Sequence, residues 1–236
     1  LDPFTEPSAF LLARFMHQNG FHRVDETDAA GWSPLCYAVV NGSKSLVTSL
    51  LELRADPNDR LKSEELAEHL PANMHVLALA ACYKSNDVLK LLLHAGADVN
   101  ATDNRYHTAL HWACVSDNAE AVSVLFDAGI NPNQVALPEG TAFHVGCAEA
   151  SLNALAELLA RSPMQSLSHG LHFGLMFSGS SEAVSFLLNA KADVNEQFSS
   201  HPTRRFVWWA LMKSLSLKHH LAPSRLTTLA YHHQGA

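Results

Sequence analysis

The chain has 236 residues, of which 47% are hydrophobic and 17% charged, and its formal net charge is −7. This composition excludes a disordered tail and allows a sizeable core, in one large domain or two ordinary ones. The mild negative charge, with 16 lysines and arginines in no long run, argues against nucleic acid as a partner, because phosphate binding requires a basic surface.

Membrane and compartment signals are few. No stretch reaches 18 consecutive apolar residues, so we predict no transmembrane segment, and no signal peptide is visible. The four cysteines are widely spaced and form no CxxC pair, which indicates reduced thiols in an intracellular, reducing compartment. We expect the protein to lie in the cytoplasm. Since the sequence begins at Leu1 without a methionine, an organelle is the alternative if a targeting segment was removed.

The first predicted element is a single helix in the stretch SAFLLARFMHQNGFHRVD, ending near Gly20. Pairs of short helices follow it. The first helix of a pair carries small residues, such as Ala80 and Ala81, and the second carries apolar residues at helical spacing, such as Val122 and Leu125. Because one pair cannot bury both of its faces, we expect the pairs to stack into an all-α solenoid with short hairpin loops.

The helix pairs recur with one period. Leu77, Leu110 and Phe143 are equally spaced along the chain, and Asn100 and Asn133, which end their units, are separated by the same interval. Two independent series of positions therefore share one period, of about 33 residues, which indicates a repeat architecture.

Two local exceptions interrupt the period. The interval from Leu35 to Leu77 exceeds it by nine positions, which indicates an insertion within the segment DRLKSEELAEHLPANMH. The helix-forming stretch SEELAEHL predicts an added turn of helix at a hairpin tip. The interval from Phe143 to His172 is four positions short of the period, so the fifth hairpin is expected to be short.

Each unit also opens and closes with a recurring motif. The opening reads SPLCYA from Ser33, TALHWA from Thr108 and TAFH from Thr141, and the closing segment reads LLHAGADVN and LLNAKADVN. These motifs resemble the ankyrin repeat family, whose unit has this period and begins its first helix with T-P-L-H-x-A. The resemblance covers residues 8 to about 215, and it implies an ankyrin-repeat solenoid of stacked helix-turn-helix units.

The register of these motifs divides the chain as one array, 1–236. Its predicted parts are an N-terminal half-repeat cap (8–27), repeat 1 (28–58), repeat 2 with the insertion (59–100), repeat 3 (101–133), repeat 4 (134–166), repeat 5 with a shortened hairpin (167–195), and a degenerate C-terminal capping repeat with a tail (196–236). His75 and Gly170 stand where the opening motif is expected, and we predict weaker helix caps there.

Two histidine–cysteine pairs raise the question of a metal site. His111 with Cys114, and His144 with Cys147, occupy equivalent slots, and four such ligands are enough for zinc. In the family, however, the histidine ties backbone together at the helix start, and a cysteine inside the packing acts as a small hydrophobe. We therefore expect no metal and no cofactor. The chain also lacks a Gly-rich phosphate loop and the HExxH and GxSxG motifs, so we predict that it is not an enzyme.

The C-terminal region leaves alternatives open. Trp208 and Trp209, beside two arginines, are typical of the core of a terminal repeat, or of a helix that docks on a partner or a membrane surface. Two histidine pairs, 219–220 and 232–233, are typical of a solvated tail, with metal binding as the alternative.

The family resemblance further implies that a protein partner binds a concave face, built from the hairpin tips and the exposed side of the first helices. Since Trp, Tyr and Arg most often dominate binding energy, Trp32, Tyr83, Arg105 and Trp112 are favoured. The mapped contact positions are Trp32, Val40, Asn41, Met74, Tyr83, Asn104, Arg105, His107, Trp112, Val115, Ser116, Leu137, Pro138, Glu149, Phe177 and Ser178.

These features together favour a non-catalytic scaffold, or a peripheral subunit of a large complex, that binds another protein. The alternatives are a targeting or regulatory module of a larger enzyme, and a metal-binding protein. Stacking of repeats requires no self-association, so we expect the array to be monomeric.

Overall fold

The computed structural model describes residues 7–62, 73–137, 140–162 and 167–195. Their helices are α1 (Pro7–Gln18), α2 (Pro34–Val40), α3 (Lys44–Glu52), α4 (Val76–Cys82), α5 (Asn86–His94), α6 (Ala109–Val115), α7 (Ala119–Asp127), α8 (Ala142–Glu149), α9 (Leu152–Arg161), α10 (Leu167–Phe173) and α11 (Ser181–Asn189). A π-helical turn, Gly174–Ser178, follows α10 directly.

The helices form two stacked layers. In the inner layer α2, α4, α6, α8 and α10 each pack against the next, and in the outer layer α1, α3, α5, α7 and α9 do the same. The last described helix, α11, packs on α10. Isolated bridges in two hairpins are the only β-pairing within the described ranges. The predicted all-α stack of helix pairs is confirmed.

The core runs continuously along the stack because equivalent slots repeat the same side chains. Leu50, Leu92, Leu125 and Leu158 occupy one slot of successive outer helices, and each is at most 1% exposed. Full burial of a leucine contributes about 1.5–3 kcal/mol. The fully buried Ala80 and its equivalent in α6 leave room for neighbouring inner helices to approach closely.

The opening motif caps the inner helices. The Ser33 hydroxyl accepts the N–H of Cys36 at 3.2 Å. Thr108 and Thr141 each form a capping box with the histidine three residues later. The ring Nδ1 of that histidine accepts the N–H of the cap residue, at 3.1 Å in α6 and 3.2 Å in α8.

The two irregular openings behave differently. His75 caps α4 with its own ring, since Nδ1 accepts the N–H of Leu77 at 3.1 Å and Nε2 lies 3.2 Å from Asn58 Oδ1. Repeat 2 therefore keeps a side-chain cap that the sequence did not predict. Gly170 lies inside α10, against α8. The helix predicted for the insertion falls in 63–72, and the C-terminal tryptophans and histidine pairs fall after 195, outside the described residues.

Candidate protein-interaction surface

Four hairpins precede the inner helices α2, α4, α6 and α8. The backbone hydrogen bonds that close them run from Asp28 N to Trp32 O (3.0 Å), Leu61 N to Met74 O (2.9 Å), Asp103 N to His107 O (3.0 Å) and Ala136 N to Gly140 O (2.8 Å). One such hairpin therefore precedes each of four helix pairs, which we number after the predicted repeats 1–4.

Neighbouring hairpins are bonded to one another. The bonds run from Lys62 N to Gly31 O (3.1 Å), from Arg60 Nη1 to Thr102 O (2.6 Å) and from Leu137 N to Arg105 O (2.9 Å). The tips therefore form one continuous row. We call the segments 29–31, 60–62, 104–106 and 135–137 the hairpin row.

The hairpin of repeat 3 is built around a buried carboxylate. Asp103 is 5% exposed, and it accepts the N–H groups of Arg105 (2.8 Å) and His107 (3.0 Å). The Nδ1 of His107 and the Nε1 of Trp112 lie 3.1 and 3.4 Å from its Oδ2. Burial acts to raise the pKa of Asp103, but the bonds from His107 and the amides outweigh it and hold the pKa below its ordinary value. This network fixes the exposed tip at the start of α6.

Repeat 1 uses the same slot in the same way. Asp28 accepts the N–H groups of Ala30 and Trp32, both at 2.9 Å, and the hydroxyl of Tyr37 at 2.7 Å. The hydrogen bond to Asp28, together with burial, raises the pKa of Tyr37 to about 12. The ring of Trp32 lies 5.2 Å from that of Tyr37. Repeats 1 and 3 therefore share an aspartate that joins the hairpin to an aromatic side chain of the inner helix.

The structure divides the predicted contact residues by exposure. Exposed side chains belong to Asn41, Tyr83, Asn104, Arg105, Val115, Leu137 and Glu149, and half-buried ones to Trp32, Val40, Ser116, Phe177 and Ser178. Pro138 lies outside the described residues.

Three predicted contact residues are buried, which corrects their assignment. Met74 is 0% exposed because the chain around the insertion returns to Leu61 and places Met74 in the core. His107 and Trp112 are 6% and 8% exposed, and both face Asp103. Their side chains are not available to a partner, and we remove them from the surface.

The half-buried residues pack mainly within the array. Ser116 donates its hydroxyl to the carbonyl of Ala81, 3.1 Å away in the preceding repeat. Phe177 stacks on Phe173 at 5.5 Å between ring centroids. Substitution of such residues is expected to change stability as well as any binding.

Sequence reasoning missed several exposed residues of the same surface. Tyr106 and Val135, on the hairpin row, are each 53% exposed. Lys62 is also exposed on the hairpin row, and Lys84 is exposed just after α4. Tyr106 stands between two predicted contacts, and its φ of 67° marks the tight turn. The insertion obscured the register of Lys62.

The histidine–cysteine pairs are occupied by structural contacts. His111 uses Nδ1 in its capping box, and its Nε2 lies 3.2 Å from Gly140 O. Burial raises the pKa of the Cys114 thiol to about 12 and also raises that of Cys147. Within the ranges that the structure describes, no three His, Cys, Asp or Glu side chains meet in a group that suits a metal ion.

Comparison with known protein families agrees with this architecture. A model described as an ankyrin repeat matches residues 30–62, and a model of three ankyrin repeat copies matches residues 77–169. Together they cover about half of the chain, and the chain belongs to the ankyrin repeat family. The resemblance and the fold class predicted from the sequence are thereby confirmed.

Several curated proteins share this similarity over part of their length. The chain is 32% identical over 99 residues to the Drosophila melanogaster transient receptor potential channel pyrexia, covering 42% of this chain and 10% of that protein. It is 33% identical over 117 residues to the Drosophila melanogaster neurogenic locus Notch protein (46% and 4%). It is 34% identical over 138 residues to the Mus musculus B-cell lymphoma 3 protein homolog (55% and 29%). The chain spans a tenth or less of the first two, so the similarity concerns the repeats.

Membership of the family carries a general role. Ankyrin repeats mediate protein–protein interactions, and ankyrin repeat proteins are typically non-catalytic. Among the described helices, none combines the length and the apolar character needed to cross a bilayer.

Proposed function

We propose that this chain is a non-catalytic scaffold that binds another protein through its inner surface. We define the inner surface as the hairpin row together with Asn41, Tyr83, Lys84, Val115 and Glu149 at the C-terminal ends of the inner helices. The observation that carries the proposal is the exposure of aromatic and apolar side chains on this surface. Tyr83 is 46% exposed, Tyr106 53% and Leu137 49%.

The chemistry and the rigidity of the surface support this role. Tyrosine and arginine are among the types that most often dominate binding energy at interfaces, and Tyr83, Arg105 and Tyr106 all lie on it. The bonds between hairpins and the Asp103 network hold Arg105 and Tyr106 on an ordered backbone, and Tyr83 lies at the hydrogen-bonded C-terminal end of α4. A partner therefore loses less of its binding energy to ordering of loops.

The setting follows from the same features. The free cysteines include Cys36, whose pKa burial raises to about 11, and this suits a reducing intracellular compartment. The proposed repeats 1–5 each hold one helix pair that stacks within the chain, so the array acts as a monomer. It serves as a peripheral subunit of a complex or as the targeting module of a longer protein.

The test combines cross-linking of the tagged chain in native extract, mass spectrometry of recovered partners, and a variant that removes the exposed anchors. Tyr83→Ala/Arg105→Ala should leave the free energy of unfolding within about 0.5 kcal/mol, because both residues are exposed. The same variant should weaken binding of the recovered partner by about 2 kcal/mol or more.

The matched control is Leu53→Ala. Leu53 is 56% exposed at the end of α3 in the outer layer, so its substitution removes exposed apolar surface away from the inner face. Equal recovery of the partner by all three forms of the chain would overturn the proposal.

A further inference from the structure

In the part of the chain that the structure describes, the exposed cations of the inner surface lack carboxylate partners. Lys62 and Arg105 lie on the hairpin row, and Lys84 follows α4. Within the described residues none of the three forms an ion pair. The Arg23 guanidinium, and more weakly Lys62, lower the pKa of Asp25, but Asp25 is held by Arg23 at 2.7 Å.

The aspartates near these cations accept hydrogen bonds from backbone N–H groups instead. Asp28 and Asp103 accept hairpin amides, and Asp59 Oδ1 accepts the N–H of Arg60 at 2.8 Å. Asp117 accepts the N–H of Ala154 at 2.8 Å and a side-chain amide at 2.7 Å. Among the described residues, Glu149 is the exposed acid of the inner surface.

The exposed side chains of the hairpin row therefore differ in the sign of their charge from the chain as a whole. The chain carries a net charge of −7, whereas the exposed side chains of the hairpin row include two cations, Lys62 and Arg105, and no acid among the described residues. In the outer layer, Lys90 pairs with Glu120, and Arg161 pairs with an aspartate of α7. Local charge of one sign on an oppositely charged protein favours a partner of complementary charge.

Apolar side chains alternate with these cations. Tyr106 adjoins Arg105 in the chain, and Tyr83 adjoins Lys84, so an exposed ring accompanies each of these two positive charges. Val115 lies at the end of α6, the next inner helix after α4, and is 39% exposed. A ligand that matches this pattern needs both carboxylates and apolar side chains within one short segment.

We propose that the inner surface binds an acidic segment of a partner protein in which carboxylates alternate with leucine or aromatic residues. This inference rests on the proposed function and adds the chemistry of the partner. Lys62 and Arg105 contact the carboxylates, and the guanidinium of Arg105 offers a bidentate site for one of them. Tyr83, Tyr106 and Val115 contact the apolar side chains.

The test measures binding of three labelled probes to the full chain by fluorescence anisotropy. The first probe is a synthetic peptide that alternates glutamate with leucine, the second replaces each glutamate by lysine, and the third is a single-stranded oligonucleotide. The full chain keeps Glu64, Glu65, Glu68 and Glu139, which lie outside the described residues, in the charge balance. The variant is Lys62→Glu/Arg105→Glu.

The control is Arg14→Glu/Lys44→Glu, which changes the net charge by the same amount at exposed positions of α1 and α3 in the outer layer. We expect the glutamate peptide to bind and the lysine peptide not to bind. The Lys62→Glu/Arg105→Glu variant should weaken Kd about tenfold or more, and the control less than about twofold. Raising the salt from about 50 to about 300 mM should weaken binding of the glutamate peptide severalfold. Circular dichroism establishes that both variants are folded.

Three results would overturn the inference: equal binding of the two peptides, an equal effect of the two charge-reversal variants, or oligonucleotide binding as tight as that of the glutamate peptide. These failures are distinct from failure of the proposed function. If the single variant Tyr83→Ala loses the partner recovered by cross-linking and Lys62→Glu/Arg105→Glu retains it, the scaffold role stands and the acidic segment is rejected.

Discussion

Removal of the Asp103 carboxylate tests how the hairpin row is stabilised. Asp103→Ala leaves the N–H of His107 and the Nε1–H of Trp112 without their acceptor, and both residues are buried. A buried donor without a partner costs about 1–3 kcal/mol. The two donors together predict a loss of about 2–6 kcal/mol in the free energy of unfolding. The more exposed N–H of Arg105 is assigned no cost because water replaces its acceptor.

The assay is urea unfolding followed by circular dichroism, with amide hydrogen exchange to locate the loss, because repeats in an array unfold partly independently. The control is Asp28→Ala, at the equivalent slot of repeat 1. Asp28 is half-buried and bonds a phenol that water reaches, so its removal should cost about 1–2 kcal/mol. Equal losses in the two variants would refute the reasoning. So would exchange that accelerates mainly outside residues 103–112 and the amide of Leu137, which donates to Arg105 O.

Two further predictions concern packing and pH. Gly170→Ala places a methyl group 2.5 Å from Phe143 Cζ, so we expect the free energy of unfolding in urea to fall by about 1–3 kcal/mol. The control Gly146→Ala should cost less, because its methyl group meets the flexible end of a leucine side chain at 2.9 Å and alanine raises the helix propensity. Equal unfolding midpoints for the two variants would contradict this prediction. Burial lowers the pKa of His75 and His111 to about 4, so from pH 7 to pH 5 the unfolded chain takes up protons that the folded chain does not. The free energy of unfolding should fall by about 2 kcal/mol per histidine over that interval, and a double glutamine variant should lose this slope in urea titrations at each pH.

The period predicted most of the fold because it assigns each residue a slot, and the slot determines burial where packing repeats. Leu77, Leu110 and Phe143, which define the period, are all at most 1% exposed. The sequence did not predict exposure at slots whose neighbours vary. Trp32 and His107 share one slot, yet the first is half-buried and the second buried.

The candidate surface was only partly predictable for the same reason. Arg105 and Tyr83 were identified because they occupy contact slots of the family, and the structure leaves both exposed. Trp112 occupies the slot of Tyr37, and the bond to Asp103 turns its indole inward. A hydrogen bond between residues nine apart has no signature in the repeat, so the sequence could not separate a contact residue from a structural one.

Two kinds of contact stabilise the hairpin row, and they alternate from one repeat to the next. Repeats 1 and 3 fix their own hairpins with Asp28 and Asp103. Repeats 2 and 4 lack that aspartate. Their hairpins are held instead by a side chain of the hairpin itself or of the preceding repeat. Arg60 donates to Asn73 O at 3.3 Å in its own hairpin and to Thr102 O in the next repeat, and His111 reaches Gly140 O from the preceding repeat.

Because of this alternation, the order of each hairpin of repeats 2 and 4 depends on the repeat beside it. Leu137 takes its position from Arg105 O and, through Gly140, from His111. Loss of the Asp103 network therefore releases Arg105 directly and Leu137 indirectly. The positions of Arg105 and Leu137 are thus coupled across two repeats, although no side-chain contact joins them among the described bonds. A partner that contacts both residues binds a surface that is ordered as one unit.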